Sequence, residues 1–164
     1  MRKNFLTFII IFFGVYSFAQ KAQSSYPQNY FGSPLEIPLF LAGNFAELRS
    51  DHFHAGIDIK TKGVEGKNVL SSADGFVSRI KIRTGGYGKI IYIDHPNGYT
   101  TTYAHLKEFS SKIDHFVKKE QYRQKSFSID YYPDSAEIKL LKGEIIALSG
   151  NTGGSGGPHL HFEI

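Results

Sequence analysis

Short hydrophobic segments, each closed by a turn signal, run through the chain from about residue 63 to its end. The clearest lie at 76–82, 89–94 and 99–106, and Pro96-Asn97-Gly98 between the last two is a strong hairpin signal. Segments of this length, bounded by glycine, proline and asparagine, favour strands over helices. The sequence therefore predicts a mainly β fold with an antiparallel sheet core.

Residues 109–125 interrupt this pattern. Ile113, Phe116 and Val117 are separated by charged residues at a spacing typical of an amphipathic helix. We predict one helical insertion here. It acts either as a cap over a binding groove or as a surface helix with no part in chemistry.

The first 19 residues resemble a secretory signal peptide. Arg2 and Lys3 precede a mostly apolar run over residues 5–18, and small residues at Ser17 and Ala19 favour cleavage before Gln20. The alternative is a membrane anchor, for which the apolar run is short. We predict cleavage, export to the periplasm or the exterior, and no stable membrane span afterwards.

The remaining chain has the length of one domain. Residues 20–38 contain Pro27, Pro34 and Pro38, which predicts an extended lead-in. Residues 40–49, which include Gly43-Asn44-Phe45, are predicted to be loop and turn. Residues 39–164 show no internal repeat and no low-complexity linker, so we expect a single domain there.

Cysteine is absent from all 164 residues, which excludes disulfides, thiolate zinc sites and a cysteine nucleophile. A metal would therefore need histidine and carboxylate ligands. The net charge of +4 is spread over scattered basic residues, a distribution that does not favour nucleic acid as a partner.

Residues 159–164 follow a glycine-rich run and alternate in character. As a strand, they place His159, His161 and Glu163 on one face. Leu160, Phe162 and Ile164 then lie on the other face. A single histidine is usually a packed or surface residue. Two at this spacing suggest a site with further ligands upstream.

His54 and Asp58 are four residues apart, and His161 can supply a third ligand. Two imidazoles and a carboxylate suit Zn²⁺, and three protein ligands leave a fourth position for water, as in catalytic zinc sites. Such water has a pKa near roughly 7 and becomes a nucleophile at neutral pH. His105 and His159 are candidates to move protons or to stabilise an oxyanion.

Three separated motifs together resemble the LytM/lysostaphin family of zinc metallopeptidases. They are His54-x-x-x-Asp58, Tyr103-Ala104-His105-Leu106 and His159-Leu160-His161, and residues 149–153 are similar to the family as well. The resemblance covers residues 43 to 164. It implies a barrel-sandwich-like β core with a narrow groove over the metal, and endopeptidase activity on the peptide stems or cross-bridges of peptidoglycan.

The resemblance also implies roles for single residues. His54, Asp58 and His161 would bind zinc, and His105 and His159 would be the catalytic histidines. Because the family fold is expected to continue past Ile164, the domain is expected to be truncated at its C-terminus.

Several other residues have two possible roles. Asn44 is a candidate for a position near the metal, and Glu163 is either a group behind His161 or, as we favour, a solvated carboxylate. Tyr103 would either donate to a substrate carbonyl or pack in a strand. His52 competes with His54 as a ligand, although the spacing to Asp58 favours His54.

Two further histidines are predicted to be surface residues. They are His95, before the hairpin turn, and His115, in the insertion.

Two other functional classes compete with the enzyme. One is a non-catalytic relative of the same fold that regulates cell-wall amidases or binds peptidoglycan. The other is a structural metal site in an adhesin-like β domain, which would need a fourth protein ligand that the sequence does not offer. The complete set of histidine and aspartate positions favours the zinc endopeptidase.

Overall fold

The computed structural model describes residues 28–164, so the predicted signal peptide at 1–19 lies outside the described residues. Two antiparallel sheets and one helix make up this part of the chain. In chain order the elements are β1 (Leu41–Gly43), β2 (Ile57–Lys60), β3 (Asn68–Leu70), β4 (Gly75–Ile82), β5 (Lys89–Asp94), β6 (Thr100–Ala104), β7 (Glu108–Phe109), α1 (Ser111–Gln124), β8 (Ile129–Tyr131), β9 (Lys139–Leu140), β10 (Ile145–Leu148) and β11 (His159–Glu163).

The main sheet has the strand order β1-β2-β11-β6-β5-β4-β8, with β9 also paired to β4. A smaller sheet has the order β3-β10-β7. All of these pairings are antiparallel, which confirms the predicted fold class. The predicted hairpin at 96–98 joins β5 to β6, with Asp94 opposite Thr100.

The core contains branched aliphatic side chains from both sheets and from α1. Apolar residues at every second strand position supply most of it, as a pleated sheet with one buried face requires. The largest fully buried side chains are Tyr103, Leu35, Ile59, Ile80, Ile82, Ile90, Ile91, Ile93, Leu106, Ile113, Ile138 and Ile146.

The predicted helical insertion is α1. Ile113, Val117 and Glu120 are its buried residues, and Lys125 ends the helix in the left-handed conformation. Within residues 28–164 no helix combines the length and the apolar character needed to cross a membrane.

Some local predictions were wrong. Residues 40–49 were expected to be loop and turn, but residues 41–43 form β1 at the edge of the main sheet. Ile164 was expected to share the apolar face of the last strand, but β11 ends at Glu163 and Ile164 is 59% exposed. The extended lead-in at 20–38 stays a prediction, since residues 20–27 lie outside the described residues; Leu35 within it is buried and bridges to Val69.

Candidate metal centre

Three adjacent strands bring the predicted site residues together. Strand β11 lies between β2 and β6, so His161 stands opposite Asp58 on one side and Ala104 on the other. His105 directly follows β6. Because β6 pairs with β11, His105 lies near His161 and Asp58 across the sheet. Residues far apart in sequence thus meet because of strand order.

His54 lies outside the strands and reaches the site through the turn before β2. Gly56 in this turn packs against β11 so closely that a Cβ atom there would lie 2.3 Å from the Phe162 carbonyl oxygen. Only glycine allows this approach without displacing the backbone. The glycine between His54 and Asp58 therefore brings the imidazole over the sheet.

The three predicted ligands form a tight triangle. His54 Nε2 lies 2.9 Å from His161 Nδ1 and 3.0 Å from Asp58 Oδ1. His161 Nδ1 lies 2.9 Å from the same Asp58 oxygen. Each side chain thus offers one donor atom to a common point.

The outer nitrogen of each histidine fixes its tautomer. His54 Nδ1 lies 2.8 Å from the Asn44 carbonyl oxygen, which can only accept, so this nitrogen carries the proton. His161 Nε2 donates to Glu163 Oε1 over 2.8 Å. In the neutral rings His54 Nε2 and His161 Nδ1 are therefore unprotonated and direct their lone pairs at the carboxylate oxygen.

This donor set fits a cation. Three lone pairs with no proton between them repel one another, whereas an ion about 2.0–2.1 Å from each donor satisfies all three. A triangle with sides of 2.9–3.0 Å is small enough to hold such an ion. Histidine nitrogen with carboxylate oxygen is a ligand set that zinc accepts.

Asp58 is held as an anion. Burial alone would raise its pKa, but the close contacts with His159 and His161 and the positive charge that the nearby imidazoles carry when protonated outweigh burial, so the pKa of Asp58 lies well below its usual range. Its second oxygen, Oδ2, accepts a 2.8 Å hydrogen bond from Arg49 Nη2. The carboxylate is therefore available as a ligand at any ordinary pH.

The two predicted catalytic histidines lie beside the triangle, with ring centroids 4.7 Å apart. His105 Nδ1 donates to the Thr152 carbonyl oxygen over 2.8 Å, which leaves Nε2 unprotonated. Burial lowers the pKa of His105, which favours the neutral ring. His105 also adopts a φ of 58°, a left-handed conformation that is strained for a residue with a side chain.

His159 has the opposite electrostatic environment. Its Nδ1 donates to the Gly157 carbonyl oxygen over 2.8 Å, and its Nε2 lies 3.5 Å from Asp58 Oδ1. The hydrogen bond with Asp58 raises the pKa of His159 despite burial. Neighbouring rings with pKa values shifted in opposite directions suit one base and one acid.

An open groove of about 250 Å³ lies over these residues. It is lined by Arg49, His52, His54, Asp58, Gly86, Tyr87, His105, Gly154, Ser155, Gly156, His159 and His161. All five residues that the sequence singled out therefore face one groove, together with two glycine-containing loops.

Glu163 was predicted to be a solvated carboxylate, and this was wrong. It is half-buried, and its Oε1 accepts hydrogen bonds from His161 Nε2 and from the Tyr87 hydroxyl, each 2.8 Å long. The hydrogen bond from His161 lowers the pKa of Glu163. The sequence did indicate this contact, because residues 161 and 163 lie on the same face of the predicted strand.

Tyr103 does not reach the groove. It is fully buried, and its hydroxyl accepts a 2.8 Å hydrogen bond from the Ser72 amide, so it is a packed strand aromatic. His95 was predicted at the surface but is only 5% exposed, because Tyr30 and Phe31 pack against its ring.

The remaining candidates lie at the edge of the site or outside it. His52 is exposed and pairs with Asp51, and His115 is exposed on α1, as predicted. Asn44 contributes its carbonyl oxygen to His54, while its side chain is exposed. Arg49 and Tyr87 were not predicted, since their contacts join residues distant in sequence.

Comparison with known proteins places the domain in a family. Residues 52–122 match the model of peptidase family M23. The chain is 37% identical over 116 residues to the DD-carboxypeptidase/endopeptidase Mpg of Neisseria meningitidis, covering 71% of this chain and 21% of that protein. It is 39% identical over 100 residues to the peptidoglycan DD-endopeptidase ShyA of Vibrio cholerae, covering 60% of this chain and 17% of ShyA.

A zinc-containing peptidase from Vibrio cholerae shares the fold, with a TM-score of 0.59 and 23% sequence identity over 82% of this chain and 36% of that one. The chain spans about a fifth of the length of the two sequence relatives. The match to the family model, the antiparallel sheet and the sequence relatives all indicate the same family. The chain belongs to peptidase family M23, the LytM/lysostaphin type.

Proposed function

We propose that this protein is an exported zinc endopeptidase that hydrolyses peptide bonds in the stems or cross-bridges of peptidoglycan. His54, Asp58 and His161 would hold the zinc ion. The observation that carries the proposal is the convergence of two unprotonated imidazole nitrogens and one carboxylate oxygen within 3.0 Å of one another.

Bound zinc supplies a Lewis acid and a water of lowered pKa. His105 is suited to take a proton at Nε2, because its Nδ1 proton is committed to the Thr152 carbonyl oxygen and its pKa is lowered. His159 is suited to donate a proton or to stabilise negative charge, since contact with Asp58 favours its charged form.

The groove suits an extended peptide. Gly86, Gly154 and Gly156 line it, and backbone without side chains permits close approach by a substrate strand. Tyr87 forms part of the wall next to the His161 ring, with centroids 4.9 Å apart. A groove of about 250 Å³ with a metal-binding wall favours a linear peptide over a folded protein.

Export is part of the proposal. Peptidoglycan lies outside the cytoplasmic membrane, and residues 1–19 have the charge and hydrophobicity of a cleavable signal peptide. The relatives Mpg and ShyA are named for endopeptidase activity, and ShyA for peptidoglycan. The sequence of residues 1–19 and the names of these relatives both support a location outside the cytoplasmic membrane.

The test is digestion of purified peptidoglycan by zinc-loaded protein, with released fragments identified by mass spectrometry. His105→Ala should lower the cleavage rate by about 10²–10⁴-fold, because it removes the proton acceptor. His115→Ala is the matched control, since this exposed histidine on α1 should be dispensable. Zinc-loaded wild-type protein that releases no peptide would favour a non-catalytic regulator, and a His105→Ala variant as active as wild type would remove His105 from the mechanism.

A further inference from the structure

Arg49 lies on the hairpin between β1 and β2 and contacts a proposed metal ligand. Its Nη2 donates to Asp58 Oδ2 over 2.8 Å. The other oxygen, Asp58 Oδ1, faces His54 and His161 at 3.0 and 2.9 Å. The two carboxylate oxygens therefore have separate partners.

The contact between Arg49 and Asp58 is made through one nitrogen of the guanidinium. Arg49 Nε is buried and has no hydrogen-bond partner among residues 28–164. An arginine that binds a carboxylate through two nitrogens engages both oxygens, whereas this geometry engages only Oδ2. Oδ1 stays free for the ion.

Gly43 makes room for this pair. It stands opposite Asp58 in the pairing of β1 with β2, and a Cβ atom there would lie 2.4 Å from Arg49 Nη2 and 2.6 Å from Asp58 Oδ2. Both atoms would then have to move. The absence of a side chain at position 43 is therefore a requirement of the Arg49–Asp58 contact.

The hairpin also links Arg49 to the ligand His54. Leu48 bridges to Phe53, and the His54 amide donates to the Glu47 carbonyl oxygen over 2.8 Å. Glu47 Oε2 lies 3.7 Å from Arg49 Nη2, a longer and more exposed contact than the one with Asp58. Arg49 therefore has Asp58 as its principal partner.

We infer that Arg49 is a positioning residue that holds Asp58 as a one-oxygen ligand and so preserves the open coordination position for water. A carboxylate free to rotate could bind an ion through both oxygens and fill that position. The inference rests on the proposed zinc site. It does not require that the substrate be peptidoglycan.

The experiment measures metal binding and coordination with Arg49→Gln and Arg49→Lys. Zinc affinity is obtained by competition with a chromophoric chelator, and coordination number from the visible absorption of the cobalt-substituted protein. Removing a positive charge near a dication would by itself tighten binding. A loss of affinity in Arg49→Gln therefore reports lost positioning and cannot arise from the change in charge.

We expect Arg49→Gln to weaken zinc binding about 10–100-fold and to lower the intensity of the cobalt bands, as an increase in coordination number does. Arg49→Lys should partly restore the zinc affinity and the intensity of the cobalt bands. Gly43→Ala should shift both readouts in the same direction as Arg49→Gln while keeping the charge. Arg79→Gln is the matched control, because it removes an arginine that binds Asp130 through two nitrogens elsewhere on the sheet.

Circular dichroism of each variant establishes folding, and if Gly43→Ala does not fold, Arg49→Gln alone decides. Wild-type zinc affinity together with a wild-type cobalt spectrum in Arg49→Gln would overturn the inference and leave the proposed function intact. Wild-type protein that binds no metal would overturn both. Protein that binds zinc but cleaves no peptidoglycan would overturn only the proposed function.

Discussion

The fold buries two polar groups that contain histidine and that differ in their balance of protons and lone pairs. The metal triangle consists of His54, Asp58 and His161, and with both imidazoles neutral three acceptor atoms there face one another. The second group, which we call the hydroxyl chain, consists of His95, Thr101 and Tyr103. Both groups are buried, so burial alone does not distinguish them.

In the hydroxyl chain every polar group has a complementary partner. His95 Nδ1 donates to the Asp74 carbonyl oxygen, and His95 Nε2 accepts from the Thr101 hydroxyl, each over 2.8 Å. The Thr101 and Tyr103 hydroxyls are 3.1 Å apart, and the Ser72 amide donates to Tyr103. A buried histidine with complete partners stabilises the fold.

When its two imidazoles are neutral, the metal triangle has no proton between its three acceptor atoms, whereas the hydroxyl chain has a proton for each acceptor. Its outer nitrogens are satisfied by the Asn44 carbonyl oxygen and by Glu163, so the shortage is confined to the inner face. An excess of acceptors, rather than the presence of histidine, therefore distinguishes the cation site.

The largest expected effect breaks the metal triangle at His54. His54→Ala should weaken zinc binding by more than about 100-fold and abolish cleavage. A residue that binds the ion directly contributes more to zinc affinity than a residue that only hydrogen-bonds to a ligand. His95→Ala is the matched loss of a buried histidine and should leave zinc affinity unchanged. Chelator competition measures both, and equal losses of affinity in the two variants would erase the distinction between the groups.

The next effect concerns the outer partner of His161. Glu163→Ala should weaken zinc binding about 10–100-fold, because the imidazole loses the acceptor that fixes its tautomer and orientation. Glu163→Gln keeps an oxygen acceptor and should therefore lose less zinc affinity than Glu163→Ala. Glu137→Ala removes a similar tyrosine–carboxylate contact, with Tyr131, and should leave zinc affinity unchanged. Unchanged affinity in Glu163→Ala would exclude the orienting role.

A smaller effect is expected in the hydroxyl chain. Tyr103→Phe removes the acceptor of the buried Ser72 amide, which should lower the free energy of unfolding by about 1–2 kcal/mol. Urea denaturation measures this loss, and zinc affinity should stay at the wild-type value. A variant that keeps its stability but loses zinc would connect Tyr103 to the metal site.

The smallest effect lies outside both groups. Hydrogen bonds from Arg123 and Gln124 lower the pKa of Glu120 to about 2, below its usual value of 4.5. Since the folded pKa is depressed, this stabilisation is present above pH 4.5 and is lost as the pH falls toward 2. Glu120→Gln should therefore cost about 0.5 kcal/mol at pH 7 and close to nothing near pH 2. Urea denaturation at the two pH values tests this, and a pH-independent difference would contradict it.

Local patterns were enough to predict most of the fold. Alternation and turn residues predicted the antiparallel sheet, the hairpin at 96–98 and the strand that carries His161, and helical spacing predicted α1. The short edge strand β1 escaped prediction because it contains only three residues and depends on pairing with β2.

The candidate site was predictable in part. The spacing of His54 and Asp58 and the alternation around His161 identified the residues that the structure brings together. The contacts of Arg49 with Asp58 and of Tyr87 with Glu163 join segments that lie apart in sequence, and no local pattern reports them. The burial of His95 depends on Tyr30 and Phe31, which likewise lie far from it in the chain.

The most direct test of the central claim is calorimetric titration of zinc into chelator-stripped protein. We expect one ion per chain, bound by wild type and lost in His161→Ala. We also expect that zinc at about 100 times its dissociation constant raises the free energy of unfolding by about 2.7 kcal/mol. Wild-type protein that binds no zinc, or a His161→Ala variant that binds it equally well, would contradict the account.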